Sequence, residues 1–134
     1  MKILFLFLLS ISFLNAKFTT LSTSQVQEAI KNNIVIIDIR RDDEYKKFGV
    51  IKTSHKLTFF NKHGKYDIDA WLGKFTKIIT NKNQKFILVC AHANRTKVVG
   101  KMLSNHLGYQ DVNELNGGIN YGWIDKGLKT EAQK

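Results

Sequence analysis

The sequence of 134 residues has no proline and only one cysteine. Because proline is missing, the turns depend on glycine and asparagine, which adopt the backbone conformations that tight turns require. Because a second cysteine is missing, the chain has neither an internal disulfide nor a redox motif of two cysteines. Internal repeats, low-complexity tracts and linkers are also lacking, and the length suits one domain. We therefore expect a single domain with one unpaired thiol.

Long apolar runs are lacking except at the amino terminus. Met1 and Lys2 give a positive start, residues 3–14 are apolar apart from two serines, and Ala16 offers a small residue for cleavage. This run would form about 18 Å of helix, against a hydrocarbon core of about 30 Å, so a transmembrane anchor is disfavoured. We expect a secretory signal peptide over residues 1–16, a mature domain over residues 17–134 and a periplasmic location. An amphiphilic tail that is not cleaved is the alternative.

Acidic residues are few, 11 against 21 lysines and arginines, and the formal net charge is +10. Removal of residues 1–16 takes away one lysine and no acid, which leaves +9. The lysines are spread along the chain and do not cluster with aromatic residues, so nucleic acid is not an expected partner. We expect a solvated basic surface that favours small anionic substrates.

The first half of the mature chain contains signals for a helix, a strand and a second helix. Ser22 and Gln25 have the spacing of a capping box, and apolar residues follow at helical intervals. Ile34 to Ile39 is a continuous run rich in β-branched residues, typical of a central parallel strand with both faces covered. Arg41 to Phe48 is charged and predicted to be helical, with Gly49 at its end.

The second half continues the alternation of strands and helices. We predict strands at Lys56–Phe60, Phe86–Val89 and Val112–Leu115, a helix at residues 68–79, a helix from Arg95 that Gly108 ends, and a short helix that contains Tyr121 and Trp123. Strands and helices in this order predict an α/β domain in which helices cover both faces of a parallel sheet.

Cys90 follows the predicted strand Phe86–Val89 directly and precedes the helix from Arg95. In open α/β sheets, ligands bind at the carboxyl ends of the strands. A loop there can turn its N–H groups inward, and these groups, with the positive end of a helix, favour an anion such as a thiolate or a persulfide. The alternative, which composition alone favours, is a buried inert thiol.

Three stretches share a pattern with one protein family. They are Ile36 to Tyr45, a strand ending in Asp-x-Arg before an acidic helix start; Cys90 to Thr96; and Leu115 to Ile119, with Trp123 shortly after. In this order they resemble the rhodanese-homology domain over residues 20 to 130. The resemblance implies an α/β fold with a central parallel sheet and helices on both faces.

The length of the loop separates relatives that share this fold. Four residues lie between Cys90 and Arg95, as in rhodaneses, whereas the related dual-specificity phosphatases and arsenate reductases have five. The resemblance therefore implies a thiosulfate sulfurtransferase of the rhodanese type, in which Cys90 takes a sulfane sulfur from an anionic donor as a persulfide and passes it to cyanide or a thiol. It implies neither a metal nor an organic cofactor.

The resemblance also implies roles for individual residues. Cys90 would be the nucleophile, and Asp38 would hold Arg95 in place, with Arg40 as a less certain supporting residue. Alternatively, Asp38 and Arg40 would be a structural ion pair at a strand end. The substrate cradle would be formed by Ala91, His92, Ala93, Asn94, Arg95 and Thr96.

The sequence departs from the family at the residues that follow the nucleophile. The position after the cysteine is often basic in active thiosulfate users, but here it is Ala91, followed by His92. Gly49 to Ser54 and the gap between Ile119 and Trp123 also differ from the family pattern. These changes leave open a low-turnover sulfur carrier or binding module that acts with a protein donor or acceptor. Zinc is not expected, because only Cys90 and His92 are close in sequence.

Overall fold

The computed structural model describes residues 16–134. The predicted signal peptide therefore lies, apart from Ala16, outside the described residues. No helix in this part of the chain is long and apolar enough to cross a membrane. The strands are β1 Lys17–Leu21, β2 Val35–Asp38, β3 His55–Lys56, β4 Phe86–Val89 and β5 Asp111–Leu115. The helices are α1 Thr23–Lys31, α2 Asp42–Phe48, α3 Ile68–Ile78, α4 Asn94–Lys101 and α5 Gly118–Gly122; a π-helix, Met102–His106, continues α4, and a 3-10 turn, Ile124–Lys126, follows α5.

The five strands form one parallel sheet in the order β1-β5-β4-β2-β3. All four residues of β4 are buried, and this strand lies between β2 and β5. This architecture confirms the predicted α/β fold with a central parallel sheet. Because the strands are parallel, their carboxyl ends lie at one edge, where Cys90 follows β4.

Alternate side chains of the central strands enter two different apolar clusters. Ile37, Phe86 and Leu88 belong to a cluster with residues of α3, α4 and the π-helix, whereas Ile36 and Ile87 belong to a cluster with residues of α1 and α5. Successive residues of a strand point to opposite faces, so the clusters are the two sides of the sheet. Full burial of a side chain of this size contributes about 1.5–3 kcal/mol, so both layers stabilise the domain.

Several helices begin or end at the residues that the sequence predicts. Ser22 and Gln25 form a capping box, in which Ser22 Oγ accepts from the Gln25 N–H at 3.2 Å and Gln25 Oε1 accepts from the Ser22 N–H at 2.8 Å. The helix α2 ends at Gly49, whose φ is +74°, and the helical segment after Arg95 ends before Gly108, whose φ is +75°. These conformations are readily accessible to glycine.

Three elements differ from the sequence-based prediction. The strand expected at Lys56–Phe60 is confined to β3, because the chain then turns to pack Leu57 and Phe59 against α3, where the indole N–H of Trp71 donates to the Leu57 carbonyl at 3.0 Å. The strand β1 was not predicted, because it is an edge strand with mostly exposed, partly polar residues. The helix expected to include Trp123 ends at Gly122.

Candidate active site

The loop that begins at Cys90 is held in place by the amino-terminal end of α5. The N–H of Ile119 donates to the Cys90 carbonyl at 2.8 Å, and the N–H of Asn120 donates to the Ala91 carbonyl at 3.1 Å. Gly118 precedes these donors with a φ of +66°, and a Cβ added there would come within 2.6 Å of the Cys90 carbonyl oxygen. The backbone of α5 can approach the loop this closely only because Gly118 has no side chain.

The loop that follows Cys90 contains consecutive backbone N–H groups without an acceptor in the described part of the chain. Within residues 16–134, the N–H groups of Ala91, His92 and Ala93 have no backbone acceptor. Ala93 adopts a left-handed conformation with a φ of +65° and caps α4, whose first N–H groups have no intrahelical acceptor either. Consecutive N–H groups in a turn before a helix form a concavity that binds anions. The predicted cradle residues, 91 to 96, therefore lie together next to Cys90.

The thiol of Cys90 is buried, with an exposure of 1 %, and within the described residues it has one hydrogen-bond partner. Its Sγ lies 3.5 Å from the Thr96 hydroxyl, which in turn donates to Glu114 Oε2 at 2.6 Å. The low exposure agrees with the alternative of an inert thiol. The free N–H groups and the hydrogen bonds that link Cys90 through Thr96 to Glu114 argue against an inert thiol, because an inert cysteine normally sits in apolar surroundings.

Arg95 is held by Glu44, at the start of α2. Its two terminal nitrogens donate to the two carboxylate oxygens at 2.7 and 2.6 Å, and Glu44 also accepts from the Arg41 N–H at 2.9 Å. Partial burial raises the pKa of Glu44, but the hydrogen bonds from Arg95 and from the Arg41 backbone outweigh it and leave this pKa below its usual value. The hydrogen bond to Glu44 raises the pKa of Arg95, which stays charged. This bidentate pair ties the cradle to α2.

The prediction that Asp38 holds Arg95 is wrong, because Asp38 is occupied by Arg40. The Arg40 side chain donates to the two oxygens of Asp38 at 2.9 and 2.7 Å, and its backbone N–H donates to one of them at 3.1 Å. Arg40 also donates to the Gly49 carbonyl at 2.7 Å. Burial raises the pKa of Asp38, and the hydrogen bonds from Arg40 oppose that rise. The two residues form a buried structural ion pair, which is the alternative role that the sequence analysis gives for them.

His92 lies on the rim of the site. It is exposed, its Nε2 is 3.1 Å from Asn120 Nδ2, and its ring centroid is 4.6 Å from that of Tyr121. Ala91 is buried. The roles of Ala91 and His92 in the choice of donor stay predictions, but their positions differ: Ala91 is buried, whereas His92 is exposed to solvent.

Two residues that the sequence analysis did not single out as site residues belong to these networks. Glu44 lies within the acidic helix start of the first family-like stretch, so its position next to Asp-x-Arg was a signal for an arginine partner. Glu114 is fully buried on β5, where it binds Thr20, Thr96 and Lys97. A glutamate within a predicted strand, between Asn113 and the apolar Leu115, was the signal for this second network.

A separate cleft of about 660 Å³ lies between the segment after β3 and helix α3. Lys56, Lys65 and Lys74 are among its lining residues, together with aromatic side chains, whereas no residue of the loop at Cys90 lines it. The cleft contributes positive charge to the surface, but no cysteine is among its lining residues. We therefore place the candidate chemistry at the loop.

The comparisons with known proteins agree with this fold. The rhodanese-like domain family matches residues 22–125, while no curated protein sequence matches. A polysulfide-sulfur transferase from Wolinella succinogenes, solved as a homodimer, has a TM-score of 0.66 and 21 % identity, over 90 % of this chain and 83 % of its own. A thiosulfate sulfurtransferase from Pseudomonas aeruginosa has a TM-score of 0.67 and 22 % identity over 87 % of this chain, which spans only 21 % of that protein.

A third similar structure is a protein of unknown function from Rhodopseudomonas palustris, described as a possible tyrosine phosphatase. It has a TM-score of 0.65 and 24 % identity, over 85 % of each chain. At these identities the solved structures support the fold alone. Because the family match covers most of the sequence, the chain belongs to the rhodanese-like family, and its fold is of the sulfurtransferase type.

Proposed function

We propose that this protein is a sulfurtransferase that carries a sulfane sulfur as a persulfide on Cys90. The observation that carries the proposal is the loop itself. Cys90 follows the central strand β4, and four residues separate it from Arg95. The N–H groups of residues 91–93 lack backbone acceptors within the described chain. By its resemblance to rhodaneses, a loop with four intervening residues suits a terminal sulfur, whereas the wider loops of the related phosphatases suit a tetrahedral oxyanion. The length of the loop therefore supports sulfur transfer over phosphate-ester hydrolysis.

The proposed reaction has two steps. In the first, the Cys90 thiolate attacks the sulfane sulfur of a donor such as thiosulfate, a new S–S bond forms on Cys90, and the S–S bond of the donor breaks to release sulfite. In the second, an acceptor such as cyanide attacks the outer sulfur, thiocyanate leaves, and the Cys90 thiolate is restored. Charge balances in both steps, and neither step requires a metal or an organic cofactor.

The loop can stabilise the negative charge in both steps. The free N–H groups are oriented by the backbone before the sulfur arrives, so little reorganisation is needed when charge develops on the outer sulfur. Arg95 fixes the loop through Glu44 and adds positive charge beside it. Because Ala91 has no charge, most of the stabilisation comes from the main chain rather than from the side chain next to the nucleophile.

Mass spectrometry of the intact protein tests the proposal directly. Incubation with thiosulfate should add one sulfur atom to the chain, and addition of cyanide should remove it and yield thiocyanate. Both effects should be lost in Cys90→Ser, which removes the only thiol of the sequence. If neither thiosulfate, polysulfide nor a small persulfide adds sulfur to the protein, the proposed activity is wrong.

A sulfur carrier that acts with a partner protein is the second candidate. The uncharged Ala91 favours it, because the position after the nucleophile is often basic in the rhodaneses that use thiosulfate. A carrier would load one sulfur per chain and retain it in the presence of cyanide, whereas an enzyme would produce many equivalents of thiocyanate. The ratio of thiocyanate to protein therefore separates the two functions.

Export after loss of residues 1–16 is also a proposal, which cell fractionation with amino-terminal sequencing would test.

A further inference from the structure

The cleft between the end of β3 and helix α3 is large enough for a ligand, since its volume of about 660 Å³ lies within the range of about 300–1,000 Å³ that binding pockets have. Hydrogen bonds hold its walls in place. The indole N–H of Trp71 joins α3 to the Leu57 carbonyl at 3.0 Å. The side-chain oxygen of Asn61 accepts from the N–H groups of His63 and Lys65 at 2.9 and 3.0 Å. The cleft is therefore preformed, and the reaction proposed above does not use it.

The wall of the cleft carries positive charge that the protein does not neutralise. Three lysines line it, Lys56, Lys65 and Lys74, and none of them forms a salt bridge within the described residues. Lys56 donates to the neutral amide oxygen of Gln133 at 2.7 Å. Asp67 is the one acid among the lining residues, and its side chain caps α3. Because the lysines come from three segments, a ligand with several separated negative charges complements the wall better than a single small anion.

The cleft also has an exposed aromatic side chain and a strand edge. Tyr66 is 58 % exposed, and its ring is stacked on that of Phe59 at a centroid distance of 5.1 Å. Aromatic side chains are enriched where proteins bind partners. The strand β3 is the outer strand of the sheet, and the N–H of Thr58, in the same wall, has no acceptor within residues 16–134. An extended peptide can pair with such an edge.

We propose that this cleft is a docking site for an extended acidic segment of a partner protein. The carboxylates of the segment lie against the three lysines, and an aromatic side chain of the segment packs on Tyr66. A second copy of this chain is a poor occupant, because each copy has a formal net charge of +10 and the two would repel each other.

The docking site is close to the candidate active site. Asp38 pairs with Val89 of β4 on one side and with Lys56 of β3 on the other. Neighbouring strands lie about 4.8 Å apart, so Lys56 is about 10 Å from the end of β4, which Cys90 follows. A docked partner is therefore held beside the loop, where it can deliver or accept sulfur. This consequence rests on the proposed function, whereas docking itself does not.

Fluorescence anisotropy with a labelled peptide tests the docking. The probe is a heptapeptide with a central phenylalanine between two groups of three glutamates, and it should bind less tightly as the salt concentration rises. The double variant Lys65→Gln, Lys74→Gln should raise the Kd about tenfold. Tyr66→Ala should raise it about fivefold and should remove the preference for phenylalanine over alanine at the centre of the peptide.

Matched variants separate the cleft from the rest of the basic surface. Lys62 precedes Lys65 in the same turn, Lys77 follows Lys74 on α3, and both are exposed but do not line the cleft. The double variant Lys62→Gln, Lys77→Gln makes the same change of net charge and should leave the Kd unchanged. Tyr121 is 59 % exposed outside the cleft, so Tyr121→Ala is the control for Tyr66→Ala. Circular dichroism should show a retained fold in all these variants.

Four outcomes would overturn the proposal. Equal weakening in the two double variants would show general attraction to a basic surface, and the absence of binding at millimolar protein would show that the cleft does not accept an acidic peptide. Displacement of the peptide by an equal concentration of phenylacetate would identify a site for small anions. A dimer that forms without peptide and that Lys74→Gln dissociates would identify a second copy as the occupant.

The peptide should bind Cys90→Ser as tightly as it binds the unmodified protein. The assay uses no sulfur donor, so a protein that fails to load sulfur can still bind the peptide. Failure of the proposed function and failure of the docking site are therefore distinguishable.

Discussion

Replacement of Gly118 by alanine tests whether the contact between α5 and the loop is rigid. The new Cβ would lie within 2.6 Å of the Cys90 carbonyl oxygen and closer still to the Ala91 carbonyl, both of which are backbone atoms that cannot rotate away. The φ of +66° adds a conformational cost of about 1–2 kcal/mol for a residue with a side chain. Relief of the overlap requires a shift of the loop, which we expect to add at least about 2 kcal/mol.

Gly127 provides a matched control. Its φ is +78°, and a Cβ added there meets nothing within 4 Å. Gly127→Ala should therefore show only the conformational cost, about 1–2 kcal/mol. Unfolding in urea would give the free energy of unfolding of each variant, and intact-mass analysis after exposure to a sulfur donor would give the loaded fraction. We expect Gly118→Ala to unfold more readily than Gly127→Ala and to load less sulfur even where it is fully folded.

Equal losses in the two variants would refute this reasoning. They would show that the loop yields to the new methyl group without cost, so the bonds from the N–H groups of Ile119 and Asn120 would not fix its shape. A Gly118→Ala variant that is strongly destabilised but loads sulfur normally would also contradict it, because the argument requires the shape of the cradle to change together with the packing.

Two further predictions concern the pair formed by Arg95 and Glu44. Arg95→Ala should abolish or strongly reduce sulfur loading while circular dichroism shows a retained fold, because the loop loses its tether to α2; normal loading would assign Arg95 to packing alone. Glu44→Gln should lower the free energy of unfolding at neutral pH by about 1–2 kcal/mol. Since folding lowers the pKa of Glu44, the pair stabilises the protein above the unfolded pKa of about 4.3, and this contribution is lost as the pH falls through the folded value. Urea unfolding from pH 7 to pH 3 should therefore show a smaller acid loss in Glu44→Gln than in the unmodified protein, and parallel curves would contradict the assignment.

The parts of the fold that follow from short-range patterns could be predicted from the sequence. The run before Cys90 is apolar on both faces, as a central strand requires, and Ser22 and Gly49 mark helix ends by chemistry that needs no distant partner. The strand β1 could not be predicted in the same way. Its pairing with β5 supplies backbone hydrogen bonds, but its exposed side chains leave no apolar pattern in the sequence.

The pairing of charged residues is the second feature that could not be predicted from the sequence. Asp38, Arg40, Arg41 and Glu44 lie within seven residues, and Arg95 comes from a distant element. Spacing places all these charges at one edge of the sheet but does not decide which carboxylate meets which guanidinium. The choice depends on burial: Asp38 is enclosed with Arg40 at the strand end, which leaves Glu44, one turn into α2, to meet α4.

The bonds between α5 and the loop also make the site one-sided. The carbonyl oxygens of Cys90 and Ala91 point to the N–H groups of Ile119 and Asn120, so these two acceptors are consumed within the protein. Under the proposed function, a preference for anions would follow from the direction of these peptide units. It would then survive replacement of every side chain between Cys90 and Arg95 that leaves the backbone path unchanged. Variation among those side chains is free to select which anion enters.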